Sequence, residues 1–394
     1  MADEGAAAAA PGGSPPGGEK RPRDEGAAAA AAAAGAPEDG GGGDTSDGPG
    51  AAKRPRPGEA AVDAEAGGAE PKLKKRKVCL WVGFVGEGYS GMQRNPGAKS
   101  IEDELERAIH RAGGISDANA GDFTKVQWTR AARTDKGVSA VGMCVGINML
   151  LPDGVVGRVN EELPDGIRLF GYERVVGGFN AKNMCDRRRY EYVLPTYCFD
   201  PGHTAPGTGT EGFSFSEPLR ARANGVLGMF VGTHNFYNFT VRTRHEDPAA
   251  RRYILSFTCS EAFEVCGREY ARIQVVGQSF MLHQIRKMVG MCLAVVRGVT
   301  DEAQVRKALA SPHRVFTPCA PALGLYLCEC VFDAYNRRWQ ELHEPIGLCH
   351  FEEEVEEFKR SYIYPRMVET EATQGVFSEW CGELVYHESK KAEE

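Results

Sequence analysis

The sequence lacks any apolar run of the roughly 20 residues needed to span a membrane, so no transmembrane helix is predicted. It also lacks a secretory signal, and its 12 cysteines are scattered, with only Cys328 and Cys330 closely spaced. On an alternating strand these two thiols face the same side, which favours packed free thiols over a zinc site. We therefore predict a reducing compartment and no metal site.

Large apolar residues are almost absent from roughly the first 70 positions, which are Ala runs, Gly runs, Pro and mixed charge. Such a segment cannot offset its ordering entropy, so residues 1–76 are predicted to form a disordered tail. The tail carries three basic blocks, KRPR (20–23), KRPRP (53–57) and KLKKRK (72–77). They are either solvated charge runs, a nonspecific RNA contact or a nuclear import signal; three blocks favour import, and hence the nucleus.

The net charge of −7 argues weakly against a protein that coats nucleic acid. Acids gather in the tail and in the segment 350–359, whereas the middle of the chain carries basic clusters such as Arg187, Arg188 and Arg189. A basic cleft is therefore compatible with the acidic average.

From residue 77 onward, strands and helices are predicted without a regular βαβ alternation, which indicates an α+β fold with a mainly antiparallel sheet. Ser100 is positioned to cap a helix in which Ile101, Leu105 and Ile109 recur at helical spacing. Further helices are predicted at 217–231, 280–297, 301–310 and from 350. Strands are predicted at 78–86, 126–131, 140–150, 166–176, 188–197, 251–260, 268–277 and 324–332.

The segment ARTDKGVSA (132–140) places a charged turn between two predicted strands. An Asx-turn, in which the Asp135 carboxylate bonds to its own backbone and Gly137 supplies a positive φ, is the structural explanation. The functional explanation is that Arg133 and Lys136 keep the carboxylate ionised, as a nucleophile or general base requires. The turn alone leaves both explanations open.

Two other segments carry candidate site residues. In the strand RRYEYVLPTY, Tyr190 and Tyr192 project to one face; they are either core residues or, beside several arginines, a platform for stacking an RNA base. In the apolar helix SFMLHQIRKMVGMCLAVV, Arg286 and His283 lie at i, i+3 and share a face. A buried arginine needs an anion, and Asp135 is one candidate.

Together these residues resemble the tRNA pseudouridine synthase I (TruA) family, and within it the eukaryotic nuclear pseudouridine synthase 1 branch. The resemblance covers about residues 78–335. It consists of six blocks in order: VGFVGEGYSGMQRNPGAKSIEDEL, ARTDKGVSA, FNAKNMCDRRRYEYVLPT, GTHNFYNFT, SFMLHQIRKMVG and PALGLYL. It implies a catalytic core over 77–345, built of two ferredoxin-like halves (about 77–185 and 186–345) flanked by helices. Residues 346–394 form an acidic helical extension.

The resemblance also implies the site residues and the chemistry. Asp135 is the expected catalytic residue, Tyr190 stacks on the target uracil, Arg286 pairs with Asp135, and Leu325 lines the base pocket. The residues expected to contact RNA are Arg133, Lys136, Arg187, Arg188, Arg189 and His283, although His283 is equally explained as a core histidine. Isomerising uridine to pseudouridine needs no redox step, metal or nucleotide, so no cofactor is expected. The carboxylate acts either by covalent attack or by removing a sugar proton.

The expected substrate is tRNA, together with other structured nuclear RNAs. Bacterial members have a different residue at the position of Lys136 and dimerise, whereas the added C-terminal segment here favours a monomer. That segment either covers a face of the core or lies along the RNA groove. Two alternative functions remain: an RNA-binding or RNA-folding protein for which catalysis is dispensable, and a related synthase that modifies another arm of tRNA.

Overall fold

A single ten-stranded sheet organises the part of the chain that the structure, a computed structural model, describes: residues 73–393 except 206 and 210. The predicted tail lies outside these residues up to position 72. The strands are β1 (Arg76–Phe84), β2 (Thr129–Arg130), β3 (Ser139–Met149), β4 (Ile167–Arg174), β5 (Arg187–Pro195), β6 (Gly232–Asn235), β7 (Arg251–Cys259), β8 (Phe263–Val265), β9 (Arg268–Gly277) and β10 (Leu325–Val331).

Helices of very different length connect and flank these strands. They are α1 (Ile101–Arg111), α2 (Val155–Glu162), α3 (Ala181–Met184), α4 (Glu217–Gly228), α5 (Gln284–Val296), α6 (Glu302–Ala310), α7 (Asp333–Trp339), α8 (Glu352–Phe358), α9 (Tyr364–Gln374) and α10 (Val376–Glu393). One π-helical turn, Lys359–Ile363, joins α8 to α9.

The strand order β4-β1-β3-β10-β5-β9-β7-β6 contains the same arrangement twice, with β2 beside β3 and β8 beside β9. The elements β1-α1-β2-β3-α2-β4 give the order β4-β1-β3-β2. The elements β5-α4-β7-β9-α5-β10 give β10-β5-β9-β7, which is the same ferredoxin-like pattern. Within the described chain every strand pair is antiparallel except β3 with β10. The predicted α+β fold with two ferredoxin-like halves is confirmed.

Strand β10 joins the two halves. It pairs in parallel with the first residues of β3, Tyr326 opposite Ser139, and antiparallel with β5, Leu327 opposite Tyr190. The start of β3 directly follows the charged turn. The topology therefore brings that turn, β5 and the start of β10 to one place.

Helix α1 forms as the sequence predicts. The Ser100 hydroxyl accepts a hydrogen bond from Asp103 N, and acids occupy the first turn, where they complement the helix dipole. Ile101, Leu105 and Ile109 are fully buried against the sheet. Cap and apolar spacing agree, so this helix is specified locally.

The C-terminal helices cover a face of the sheet, which is one of the two positions predicted for them. Phe358 of α8 packs edge-to-face on Phe170 with ring centroids 5.7 Å apart, and Phe377 of α10 lies 6.3 Å from Tyr192. Strand β3 is consequently buried along almost its whole length on both faces, and its apolar residues do not mark a single buried face.

A buried carboxylate links this extension to the sheet. Glu191, 4% exposed, accepts hydrogen bonds from the Tyr326 hydroxyl and, at 3.5 Å, from Cys328 Sγ. Burial would raise the pKa of Glu191, but Lys359, Tyr326 and two nearby arginines lower it below its ordinary value. The carboxylate therefore remains ionised between β5, β10 and the π-helical turn.

Cys328 and Cys330 are free thiols, as predicted, but they do not share a set of neighbours. Cys328 contacts Glu191, whereas Cys330 lies beside Cys185 and Arg188. The reason is a bulge in β10: Leu327 pairs with Tyr190 and Glu329 with Arg189, so Cys328 is an extra residue. The expectation that both face the same side is wrong.

Candidate active site

The charged turn, residues 133–137, lies between β2 and β3. Gly137 has a φ of +77°, which glycine adopts without strain, and Val138 N donates to Asp135 O at 3.1 Å. The Gly137 N–H donates to Tyr89 O at 3.4 Å and not to the Asp135 side chain. The carboxylate is therefore not used to close an Asx-turn.

A glycine-containing loop after β1 packs against this turn and donates hydrogen bonds to it and to the start of β3. Met92 N donates to the Thr134 hydroxyl at 3.1 Å, and Gly86 N donates to the Ser139 hydroxyl at 3.0 Å. Gly91 has a φ of +106°, and a Cβ at this position would lie 2.4 Å from Thr134 O. The loop can approach the turn this closely only because residue 91 has no side chain.

One cavity of about 670 Å³ opens over the turn, a size suited to a small ligand. Segments from both halves of the sheet line it. Its lining includes the predicted site residues Arg133, Asp135, Lys136, Tyr190, His283 and Leu325. Residues far apart in sequence are thus brought together, and β10 is the element that places them side by side.

Asp135 is the only acid among the described residues that line the cavity. Its Oδ2 lies 3.9 Å from Nε2 of His283, and the two side chains are 23% and 34% exposed. Burial lowers the pKa of His283; Asp135 opposes this shift, while Arg286 and Lys287 reinforce it. Because the pKa falls below the ordinary 6.5, the imidazole is neutral at pH 7 and the carboxylate faces a neutral partner.

Tyr190 combines burial with access to the cavity. It is 6% exposed, and its ring lies 5.2 Å from that of Phe280 at an interplanar angle of 80°. Burial raises the pKa of Tyr190, and Cys330 and Asp135 raise it further. The hydroxyl is therefore protonated at neutral pH, and the ring offers an aromatic surface held in place by Phe280.

The predicted ion pair between Arg286 and Asp135 is not present within the described part of the chain. Arg286 Nε donates instead to Ala320 O at 2.6 Å, which ties α5 to the loop before β10. The predicted i, i+3 relation between His283 and Arg286 on one helix face is also absent, because α5 begins at Gln284. His283 precedes the helix with a φ of +62°, so the two side chains are not related by helical spacing.

Each of the three consecutive arginines of β5 is paired with a protein group, although the buried Nε of Arg189 has no hydrogen-bond partner among the described residues. Arg187 pairs with Asp333 at 2.7 Å, and Arg189 pairs with Glu329 at 3.0 Å. Arg188 Nη2 donates to Ala131 O at 2.6 Å, which connects β5 to the residues just before the charged turn. The structure gives Arg188 a role in positioning that turn; contact of these arginines with RNA stays a prediction.

The cavity is also lined by residues that the sequence did not single out, among them Arg242, Phe280 and Gln284. Phe280 and Gln284 lie within the block SFMLHQIRKMVG, and Arg242 lies two residues after the block GTHNFYNFT. Gln284 is fully buried, and its Oε1 accepts from Met281 N at 2.9 Å. Proximity to those blocks was the signal available for finding them.

Among the described residues, no group of three or more His, Cys, Asp or Glu residues is arranged to hold a metal ion. No described helix is long and apolar enough to cross a membrane.

A sheet of two ferredoxin-like halves, with one carboxylate among the described residues that line a cavity at their junction, is the architecture expected of a pseudouridine synthase. A family model described as tRNA pseudouridine synthase matches residues 227–333. The chain is 43% identical over 321 residues to a mouse protein named pseudouridylate synthase 1 homolog, covering 80% of this chain and 75% of the relative.

The corresponding human protein is 42% identical over 315 residues, covering 79% of this chain and 73% of its own. A Candida glabrata protein named tRNA pseudouridine synthase 1 is 32% identical over 387 residues, with coverages of 78% and 70%. The chain belongs to the TruA-type tRNA pseudouridine synthase family, in its eukaryotic branch. An alignment that covers 80% of 394 residues must include the central residues Asp135, Tyr190 and Arg286.

Proposed function

We propose that this protein isomerises uridine to pseudouridine in tRNA, with Asp135 as its catalytic carboxylate. The observation that carries the proposal is the cavity in which Asp135, Tyr190 and Leu325 meet from three separate segments. Relatives named tRNA pseudouridine synthase 1 support tRNA as the substrate.

The reaction breaks the bond between ribose C1′ and N1 of uracil and forms a bond between C1′ and C5. The C5 proton is lost and N1 gains a proton, so the product is an isomer and no redox partner is consumed. Asp135 either attacks covalently or removes a sugar proton, and both routes require an ionised carboxylate. Its neighbours Arg133 and Lys136 are exposed cations on the same turn.

The remaining lining residues hold the substrate. Since the target base must enter the cavity, the nucleotide is unstacked or flipped from its RNA. Tyr190 offers the base an aromatic surface, and Leu325, 6% exposed, supplies an apolar wall that excludes water from the detached uracil. Arg133 and Lys136 are placed to contact phosphates beside that nucleotide.

The test is tritium release from tRNA labelled at C5 of uridine, comparing wild type with Asp135→Asn. The substitution keeps the side chain's size and removes its charge, so release should fall to background while RNA binding persists. Asp165→Asn, at an exposed aspartate just before β4, is the matched control and should release tritium like wild type.

Two results would separate this function from its alternatives. If wild type binds tRNA without releasing tritium, the noncatalytic RNA-binding function replaces the proposal. If release occurs but maps to another arm of tRNA than that modified by the named relatives, the specificity is that of a related synthase.

Nuclear localisation and action on other structured RNAs are also part of the proposal. The support is the three basic blocks, of which only the last enters the described residues: Lys77 is 7% exposed in β1 and donates to Gln127 O. Import should therefore depend on residues 20–23 and 53–57. Replacing the basic residues of both blocks with Ala in a fluorescent fusion should leave the protein outside the nucleus; unchanged nuclear signal would contradict this localisation.

We further propose that the protein acts as a monomer. The C-terminal helices occupy a sheet face with buried Phe358, Ile363 and Met367, which supports this assignment. Light scattering during size-exclusion chromatography should give a mass near 42.7 kDa, and a mass twice as large would refute it.

A further inference from the structure

Three cations that line the cavity have no partner within the described chain. Arg133, Lys136 and Arg242 are all exposed, and none of their side chains makes a hydrogen bond or ion pair to the described residues. The arginines of β5 differ, since each is paired with a protein group. Cations without a protein partner at a cavity edge are available to a ligand anion.

Arg242 is held in an uncommon backbone conformation. Its φ is +61°, a value that non-glycine residues adopt only when the surrounding structure imposes it. Two residues earlier, the Thr240 hydroxyl donates to Leu282 O at 2.9 Å, next to His283. The loop that carries Arg242 is therefore fixed to the same segment that places His283 beside Asp135.

A second arginine, Arg314, holds this loop in place through hydrogen bonds to its backbone. Arg314 Nη1 donates to Tyr237 O at 2.8 Å and to Thr240 O at 3.0 Å, and its Nη2 donates to Thr243 O at 3.3 Å. Its guanidinium also lies 3.9 Å from the centre of the Tyr237 ring. The donors of Arg314 are thus used within the protein, on both sides of residue 242.

We propose that Arg242 binds a backbone phosphate of the RNA strand that carries the target uridine, and that Arg314 positions it. Arg133 and Lys136 come from the first half of the sheet, whereas Arg242 precedes β7 in the second half. Cations from both halves therefore line one cavity, and the strand that delivers a flipped nucleotide contacts both. This inference rests on the proposed RNA substrate and adds to it a contact from the second half.

The test measures tRNA affinity over salt concentration, using Asp135→Asn as the background so that no turnover occurs. Arg242→Gln should weaken binding roughly five- to tenfold at 0.1 M salt and lower the steepness of the salt dependence by about 0.7 to 0.9, the value of one phosphate contact. Arg242→Lys should retain most of the salt dependence, because a lysine ammonium also binds phosphate, as a point charge. Arg174→Gln, at an exposed arginine of β4 outside the cavity lining, should match the background.

Arg314 is tested by its dependence on Arg242. Arg314→Met should reduce affinity when Arg242 is present and change it less than twofold in the Arg242→Gln variant, because a positioning residue acts through the group it positions. Equal losses in both backgrounds would overturn this role, and thermal melts of each variant check that it folds.

An Arg242→Gln variant with unchanged affinity and unchanged salt dependence would overturn the phosphate contact. A loss confined to kcat in the active protein, with the same salt dependence, would overturn it as well. Failure of the underlying function is recognised separately, because wild type itself would then release no tritium, whether or not it binds tRNA.

Discussion

Gly91 is a position at which a single added methyl group should disable the site, although residue 91 itself does not line the cavity. Its φ of +106° is unfavourable for alanine, and the added Cβ would lie 2.4 Å from the carbonyl oxygen of Thr134, the residue before Asp135. Real Cβ atoms do not approach oxygen this closely, and the clashing atom belongs to the backbone. Gly91→Ala must therefore move the glycine loop, the charged turn or both.

Two effects determine the expected losses of stability and rate: the backbone strain at residue 91 and the displacement of the charged turn. Placing alanine in the left-handed region costs about 1–2 kcal/mol by itself. Relieving the contact to an ordinary separation requires a displacement of about 1 Å, and a misplacement of that size at a reacting group lowers a rate by roughly 100-fold. We expect Gly91→Ala to lose at least about 2 kcal/mol of stability and about 100-fold in kcat.

Gly88 offers the matched control, because it also has a positive φ, +78°, but a Cβ there would meet no atom within 4 Å. Gly88→Ala should show the backbone cost of about 1–2 kcal/mol with kcat nearly unchanged. Urea denaturation gives the stabilities and tritium release gives the rates. If Gly91→Ala retains the kcat of Gly88→Ala, the position of the charged turn does not depend on the close approach of residue 91, which contradicts the prediction.

Two predictions concern other parts of the fold. Burial lowers the pKa of Lys77 from 10.5 to about 8, so the unfolded chain binds this proton more tightly and stability should rise as pH increases from about 8 to 10.5. Lys77→Met should raise the free energy of unfolding by on the order of 1 kcal/mol at pH 7, because the loss of the hydrogen bond to Gln127 O offsets part of the gain. The variant should also lose most of the increase in stability between pH 8 and 10.5. An unchanged pH profile in urea titrations would contradict this prediction. Phe358→Ala should cost about 3–5 kcal/mol by leaving a cavity against Phe170, whereas Leu342→Ala, at a residue 67% exposed, should stay within about 0.5 kcal/mol. Equal effects in calorimetry would show that the C-terminal helices are not part of the core.

Features determined by neighbours in the chain could be predicted from the sequence. The cap at Ser100 and the spacing of Ile101, Leu105 and Ile109 act within α1, so local rules describe them. The charged turn was predictable for the same reason, because Gly137 and the flanking strands determine its conformation. Which of the candidate residues would line one cavity came from the family resemblance and from the position of β10, not from local pattern.

Side-chain partners were not predictable in the same way. Arg286 was expected to find an anion, but a backbone carbonyl of Ala320 satisfies its Nε, and no local pattern shows which acceptor lies nearby. The arginines of β5 looked free for the same reason, although Asp333 and Glu329 lie more than 130 positions later in the sequence. The bulge at Cys328 likewise depends on pairing with β5 and is invisible to a rule of alternation.

Charge illustrates why the average composition said little about the site. The chain carries a net charge of −7, yet the described residues that line the cavity include three exposed cations and one carboxylate. Acids such as Glu352 belong to α8, which packs against β3 and β4, and no residue of α8 lines the cavity. At physiological salt, exposed charges act over only about 8 Å, so acids beyond that range are largely screened from the cavity. An RNA phosphate at the cavity edge therefore meets a local charge that is positive, and the acidic total does not oppose the proposed function.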